Sequence, residues 1–121
     1  MAKRILVVDD SKAVRESVTY VLDQAGYEIV QAVDGADALT KLDGSPFDLV
    51  ITDVNMPNMD GIELTGKVRG LEKYKFTPVV VLTTESQQSK MSAGKEAGAT
   101  GWIVKPFNSE KLLQVVKRLA G

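Results

Sequence analysis

The sequence predicts a doubly wound α/β domain of (βα)5 type with a five-stranded parallel sheet, and three observations support this prediction. Short runs rich in β-branched residues alternate five times with segments of helical period. Most of these runs are apolar throughout, which is typical of parallel strands covered on both faces. Strand–helix–strand alternation favours parallel pairing through right-handed crossovers. With 121 residues the chain has the size of one domain, so a single domain over residues 1–121 is expected.

The strands and the first helix can be placed from the pattern of apolar residues. The strands are expected at residues 4–8, 28–32, 49–52, 78–83 and 102–105. The first helix carries an apolar stripe at helical spacing, formed by Val14, Val18, Val21, Leu22 and Ala25. Gly26 follows this stripe and is expected to end the helix.

The other four helices differ in how well their apolar residues can anchor them. The second follows Asp34-Gly35 and the third begins near Asp60-Gly61, each with three apolar residues for the core. The fourth, at about 86–97, has Ser, Gln, Gly and Lys where the other helices have Leu or Val, so it is expected to be the least anchored. The fifth follows Asn108 or Ser109 as its N-cap and carries a full apolar stripe.

The composition excludes several classes of function. The chain has no cysteine and no histidine, which excludes disulfides, thiolate sites, imidazole bases and the usual zinc sites. No apolar run approaches the roughly 20 residues that span a bilayer, and the N-terminus has no signal-peptide organisation. We therefore expect a cytoplasmic protein without membrane insertion. A net charge of −1 argues against nucleic-acid binding.

The charge is unevenly distributed along the chain. Residues 1–85 hold 14 acids and 9 bases, a net charge of −5, whereas residues 86–121 hold 2 acids and 6 bases, a net charge of +4. Within one domain this pattern indicates an acidic pole and a basic pole.

Polar side chains stand at the carboxyl ends of four of the five strands. Asp9 and Asp10 follow the first strand, Asp53 the third, Thr83 ends the fourth and Lys105 ends the fifth. These ends share one edge of a parallel sheet, which is where ligands bind in open α/β folds. Converging carboxylates repel one another by roughly 4 kcal/mol at about 4 Å and an effective dielectric near 20. Such a site requires a cation or raised pKa values.

The chemistry of the group points to a hard cation and a phosphoryl ligand. Oxygen ligands without imidazole or thiolate favour Mg²⁺, for which Mn²⁺ could substitute. A carboxylate nucleophile, two cations and a hydroxyl suit phosphoryl transfer. Each residue alone has an ordinary explanation as a helix cap, turn acid, strand Thr or solvated base. Their combination at one sheet edge favours a functional site.

Four motifs carry a resemblance to the receiver domains of two-component signalling, the family that includes single-domain chemotaxis regulators. They are Ile-Leu-Val-Val-Asp-Asp-Ser at 5–11, Asp-Leu-Val-Ile-Thr-Asp-Val-Asn-Met-Pro-Asn-Met-Asp-Gly at 48–61, Val-Val-Val-Leu-Thr at 79–83 and Lys-Pro-Phe at 105–107. The resemblance covers essentially the whole chain. It implies a flavodoxin-like fold with strand order 2-1-3-4-5 and a cis peptide bond at Lys105-Pro106.

The resemblance also implies a role for each residue at the sheet edge. Asp53 would be the phosphoryl acceptor. Asp10, Asp53 and the main-chain carbonyl of Asn55 would bind Mg²⁺ directly, and Asp9 through a water molecule. Thr83 and Lys105 would contact the phosphoryl oxygens. Trp102 would be the switch aromatic together with Thr83, at a position where this family usually carries Tyr or Phe. Both Trp102 and Thr84 are bulkier than usual there, which leaves their effect on switching open.

The resemblance implies a phosphorylation-driven switch rather than an enzyme with its own substrate. A histidine kinase would donate the phosphoryl group, and the chain would assist its own phosphorylation and dephosphorylation. No output domain is expected, so the fourth helix, fifth strand and fifth helix would bind a target protein, such as a flagellar motor switch component. Lys90, Lys95 and Lys117 would contact an acidic or amphipathic segment of that partner.

Three alternatives stay open from the sequence. One is a phosphorelay intermediate that passes the group to a histidine phosphotransfer protein. Another is a phosphatase of the haloacid-dehalogenase type, which usually needs a second Asp where this chain has Asn55. The third is a degenerate structural receiver, against which the intact acidic trio argues.

Overall fold

The computed structural model describes residues 3–84 and 91–120, and it contains the five strands and five helices that the sequence predicts. In chain order they are β1 (Arg4–Val8), α1 (Lys12–Gln24), β2 (Glu28–Ala32), α2 (Gly35–Lys41), β3 (Leu49–Asp53), α3 (Gly61–Gly70), β4 (Val79–Thr84), α4 (Met91–Ala97), β5 (Gly101–Lys105) and α5 (Ser109–Ala120). All neighbouring strands pair in parallel, in the order β2-β1-β3-β4-β5. The predicted fold class and strand order are confirmed.

The N-termini of α1, α2, α3 and α5 are fixed by side chains that accept hydrogen bonds from the first turn. Ser11 accepts from the amide of Val14 at the start of α1. Asp34 and Asp60 play the same part for α2 and α3. These caps satisfy backbone donors that have no partner inside the helix, and they fix where each helix leaves the sheet edge. In α5 the cap is Asn108, one of the two residues expected.

Two apolar layers cover the two faces of the sheet. Strand residues of one parity pack with α1 and α5, and those of the other parity pack with α2 and α3. In β1, for example, Ile5 and Val7 belong to the first layer, and Leu6 and Val8 belong to the second. This alternation follows from the period of two in a strand. None of the helices in the described ranges combines the length and apolar character that a bilayer crossing requires.

The structure departs from the predicted boundaries in four places. β3 extends to Asp53, β4 runs one residue later than expected, and β5 begins at Gly101. Ala25, expected on the apolar stripe of α1, is an exposed C-cap residue, because the helix ends there before Gly26 with its φ of 95°. The predicted first turn of the fourth helix and Lys90 lie outside the described residues.

Candidate functional site

The register of β1 and β3 brings the acidic residues together. Val8 lies opposite Thr52 in this parallel pair, so the residues that follow each of them, Asp9 and Asp53, reach the sheet edge side by side. Asp10 continues the chain beyond Asp9. One carboxylate oxygen from each of the three aspartates lies within 4.8 Å of the other two. The predicted convergence of Asp9, Asp10 and Asp53 is therefore present in the structure.

The three carboxylates differ in burial. Asp9 is 1% exposed and Asp53 6% exposed, whereas Asp10 is open to solvent. Burial raises the pKa of the Asp9 carboxyl above its ordinary value of 3.8, and the nearby charge of Asp53 adds to this rise. The amide of Ser11, which donates to Asp9 Oδ1 at 2.8 Å, lowers the same pKa in part. The site thus holds unfavourable negative charge that a bound cation would relieve.

Lys105 supplies the positive charge at this edge. Its position follows from the register of β4 and β5, in which Thr84 lies opposite Lys105. The Nζ atom lies 2.9 Å from Asp53 Oδ1 and 3.6 Å from Asp9 Oδ2. The Lys105–Pro106 peptide bond is cis, as the resemblance implies. One ammonium is therefore shared between two buried carboxylates.

The oxygen atoms of the acidic cluster fit a hard divalent cation. Asp9 Oδ2 is buried and accepts no hydrogen bond from the described part of the chain. Buried carboxylate oxygens without donors are what a metal, directly or through its water, can satisfy. Asn55, the source of the expected carbonyl ligand, is exposed in the loop after β3. The described residues thus include an acidic cluster able to hold a metal ion.

Thr83 and Thr84 end β4 beside this cluster. Thr83 is fully buried, and its hydroxyl donates to the carbonyl of Thr84 at 3.2 Å. The side chain of Thr84 is exposed and lines a groove of about 440 Å³. The other walls of this groove come from α1 and from residues 105–107. Thr84 therefore lines the same groove as Lys105.

Trp102 lies on β5, away from the carboxylates. It is half-buried and packs against the apolar layer of α2 and α3. Its six-membered ring also lies against Gly94 of α4. The sequence predicted a switch aromatic here, and the structure shows which helix it contacts.

Two residues that support the site were missed by the sequence analysis. Arg15 Nη1 donates to the main-chain carbonyl of Asp9 at 2.7 Å, which holds the turn after β1. A Cβ on Gly61 would clash with the carbonyl oxygen of Asp53, so only glycine permits this close approach of α3. The sequence did contain a signal for the role of Gly61, since this glycine closes the motif after the third strand. The sequence contained no signal for the role of Arg15, because an ordinary solvated base could occupy the same position on α1.

Comparison with known proteins agrees with this geometry. Residues 5–117 match the family described as response regulator receiver domain. The chain is 40% identical over 121 residues to chemotaxis protein CheY-3 of Vibrio cholerae, covering 96% of this chain and 93% of that protein. It is 37% identical over 115 residues to the CAI-1 autoinducer sensor kinase/phosphatase CqsS of the same species, covering 94% of this chain and only 17% of that protein. The solved structure of V. cholerae chemotaxis protein CheY4 superposes with a TM-score of 0.93 at 48% identity, covering 98% of this chain and 99% of that chain.

Proposed function

The chain belongs to the response regulator receiver domain family, and from this premise we propose that it is a switch phosphorylated on Asp53. Members of this family are phosphoacceptor switches rather than classical enzymes. One observation carries the assignment of the acceptor. Asp53 is the carboxylate that lies both in the acidic cluster and at 2.9 Å from the Lys105 ammonium. We further propose that one receiver domain accounts for residues 1–121.

The arrangement supports nucleophilic attack by the Asp53 carboxylate on a phosphohistidine of a kinase. The new bond joins a carboxylate oxygen to phosphorus, the bond from phosphorus to the imidazole nitrogen breaks, and that nitrogen keeps the electron pair. The Lys105 ammonium already contacts Asp53, so it can stabilise the negative charge on the carboxylate and then on the phosphoryl oxygens. The hydroxyl of Thr83, at the same sheet edge, is the proposed donor to a second phosphoryl oxygen.

Mg²⁺ is the proposed cofactor, and when bound it would neutralise charge on the carboxylates and on the phosphoryl oxygens. Asp10, Asp53 and the carbonyl of Asn55 would hold the ion directly, and Asp9 through water. Asp10 is exposed and Asp9 is buried, which suits the assignment of Asp10 as a direct ligand and Asp9 as a ligand through water. A hydrated ion is bound directly more readily by a carboxylate on the solvent side. Mn²⁺ has a similar preference for oxygen ligands and could substitute.

The groove between α1 and residues 105–107 is the proposed approach for the histidine kinase. It has a volume of about 440 Å³, and Lys105 forms part of its wall. An imidazole entering along this groove would arrive beside the residue that contacts Asp53. The exposed Thr84 lies in its path and would restrict the size of the donor.

The proposed output surface consists of α4, β5 and α5, and the proposed partner is a protein of the chemotaxis apparatus such as a flagellar motor switch component. Lys95 and Lys117 are exposed on this surface, and they suit an acidic partner segment. The similarity to two proteins named as chemotaxis proteins supports this choice. A cytoplasmic location is proposed on the same grounds.

Intact-mass spectrometry tests the proposal. Incubation with Mg²⁺ and acetyl phosphate should add one phosphoryl group to the parent protein. Asp53→Ala should take up none while keeping its circular dichroism spectrum, since it removes the nucleophile and one of several like charges. Asp43→Ala, a change at an exposed aspartate outside the cluster, is the matched control and should be labelled like the parent. Equal labelling of Asp53→Ala and the parent would exclude Asp53 as acceptor.

A further inference from the structure

Helix α4 meets the indole of Trp102 through a residue that has no side chain. A Cβ built on Gly94 would lie 2.5 Å from Cζ3 and 3.3 Å from Cη2 of the indole. Real Cβ atoms essentially never come within 3.0 Å of another heavy atom in this way. Gly94 is also the one buried position among residues 92–97. Contact between α4 and Trp102 in this arrangement therefore depends on glycine at position 94.

The carboxyl end of α4 is anchored, which limits how far the helix can move away from the indole. Arg69 of α3 donates from Nε and Nη2 to the carbonyl oxygen of Gly98, at 3.1 and 2.9 Å. Its Nη1 donates to the carbonyl of Thr77 at 2.7 Å, which ties the same guanidinium to the loop before β4. Gly98, just after the helix, has a φ of 105° and lies against the Arg69 side chain. A larger residue at position 94 would therefore have to displace the indole or strain this anchor.

Packing holds the indole of Trp102 in its observed position, without a polar contact of its N–H to the described residues. Its Nε1 atom is buried, and it donates no hydrogen bond to any acceptor in the described ranges. An unpaired buried N–H raises the free energy of the position that contains it. A cavity of about 300 Å³ borders the indole, with Lys95, Ala99 and Gly101 among its lining residues. The indole thus occupies a site that packing against Gly94 favours and a missing hydrogen bond disfavours.

We propose that Gly94 is a positioning residue that sets how readily Trp102 leaves its resting place. By giving the indole room against α4, Gly94 favours the resting position. A side chain on residue 94 would disfavour the resting position of the indole. It would raise the population of the state in which the indole has left that position. A ligand that binds the alternative state gains apparent affinity in proportion to that population. This second step rests on the proposed function, whereas the resting contact does not.

Fluorescence of the unphosphorylated protein tests the resting contact directly, because Trp102 is the sole tryptophan. Gly94→Ala should shift the emission maximum and change the acrylamide quenching constant. Gly66→Ala is the matched control, since Gly66 is a helical glycine of α3 with nothing within 4 Å of its built Cβ. It should leave both quantities at the parent values. Emission and quenching of Gly94→Ala that equal those of the parent would overturn the proposal.

A double-mutant cycle keeps the test decisive if Gly94→Ala folds poorly. In a Trp102→Phe background the smaller ring leaves room for the added methyl. Gly94→Ala should therefore lower the free energy of unfolding, measured in urea, by less than it does when Trp102 is present. Gly66→Ala should have the same effect in both backgrounds. An equal loss from Gly94→Ala with and without Trp102, or failure to fold in both backgrounds, would show that Gly94 does not act through the indole.

Binding of beryllofluoride tests the regulatory step. If Gly94→Ala raises the population of the binding-competent state from about one in ten to one in two, the apparent affinity rises about fivefold. Gly66→Ala should bind like the parent. Unchanged affinity of Gly94→Ala would refute the regulatory step. Failure of the parent to take up a phosphoryl group would instead refute the proposed function, and it would leave the fluorescence result on the resting contact intact.

Discussion

The carboxylate corner (Asp9, Asp10, Asp53 and Lys105) and helix α4 are built in opposite ways. The corner stands at the ends of β1 and β3, in which nearly every residue is buried. Helix α4 has one buried position among residues 92–97, Gly94, and its carboxyl end is held by the guanidinium of Arg69. Mutually repelling charges thus follow well-packed strands, whereas α4, anchored at its carboxyl end but thinly packed along residues 92–97, is the element that we propose responds to them. Strong support at the site and weak support at the surface are what a switch requires.

The largest expected effect comes from weakening the support of the corner. Ile51 is fully buried in β3, two residues before Asp53. Ile51→Ala should lower the free energy of unfolding by about 2–5 kcal/mol, because it removes buried methyl groups and leaves a cavity. Lys95→Ala, an exposed change on α4, should stay within about 0.5 kcal/mol of the parent. Urea denaturation of both variants measures the contrast, and similar losses would contradict it.

A smaller effect should follow from releasing α4. Arg69→Ala removes charge-assisted hydrogen bonds to the carbonyls of Gly98 and Thr77, with an expected loss of about 1–3 kcal/mol. Hydrogen exchange should accelerate in residues 91–97 more than in β3. Lys67→Ala, an exposed change on the same helix, is the control. If exchange rises equally in α4 and β3, Arg69 supports the whole domain and is not a local anchor.

The sequence predicted the corner far better than it predicted the surroundings of α4. Alternation of apolar runs and helical stripes fixes the order of the strands in the chain, and parallel pairing then brings their polar ends to one edge. Contacts such as that of Arg69 with Gly98 join residues 29 positions apart through a main-chain carbonyl, which leaves no trace in residue type. The same holds for Trp102 on Gly94, since a helical glycine also occurs without any contact, as Gly66 does. The sequence also could not tell that Asp9 is buried while its neighbour Asp10 is exposed.

Metal binding should stabilise the corner by a still more modest amount. At a concentration ten times the dissociation constant, Mg²⁺ should raise the free energy of unfolding by about 1.4 kcal/mol. Asp10→Ala should abolish this gain, because Asp10 is a proposed direct ligand, while Asp23→Ala on the exposed face of α1 should retain it. Thermal melts with and without Mg²⁺ measure the difference. A melting temperature of Asp10→Ala that climbs as in the parent would exclude Asp10 as a ligand.

The smallest effect concerns pH in metal-free buffer. Because burial raises the pKa of Asp9 in the folded state, ionisation of Asp9 lowers the stability of the fold, with no loss below the ordinary pKa of 3.8 and the full loss above the raised pKa. Asp9→Asn should therefore be more stable than the parent at neutral pH, and the difference should vanish as the pH falls below 3.8, the ordinary value of an aspartate. Asp43→Asn should show no such gain, since hydrogen bonds from Ser45 lower the pKa of Asp43. Urea denaturation across this pH range measures the difference in stability between Asp9→Asn and the parent. A difference that stays constant with pH, or that has the opposite sign, would contradict the prediction.

In the proposed switch, a phosphoryl group at the carboxylate corner moves α4 and Trp102 while β1 and β3 stay in place. Amide chemical shifts of the protein, recorded with Mg²⁺ before and after saturation with beryllofluoride, test it most directly. Large changes are predicted in residues 91–97 and at Trp102, together with local changes at Asp53, and small changes in the buried centres of β1 and β3. Binding of beryllofluoride that leaves the shifts of α4 and Trp102 unchanged, or that changes the strand centres as much as α4, would contradict this proposed switch.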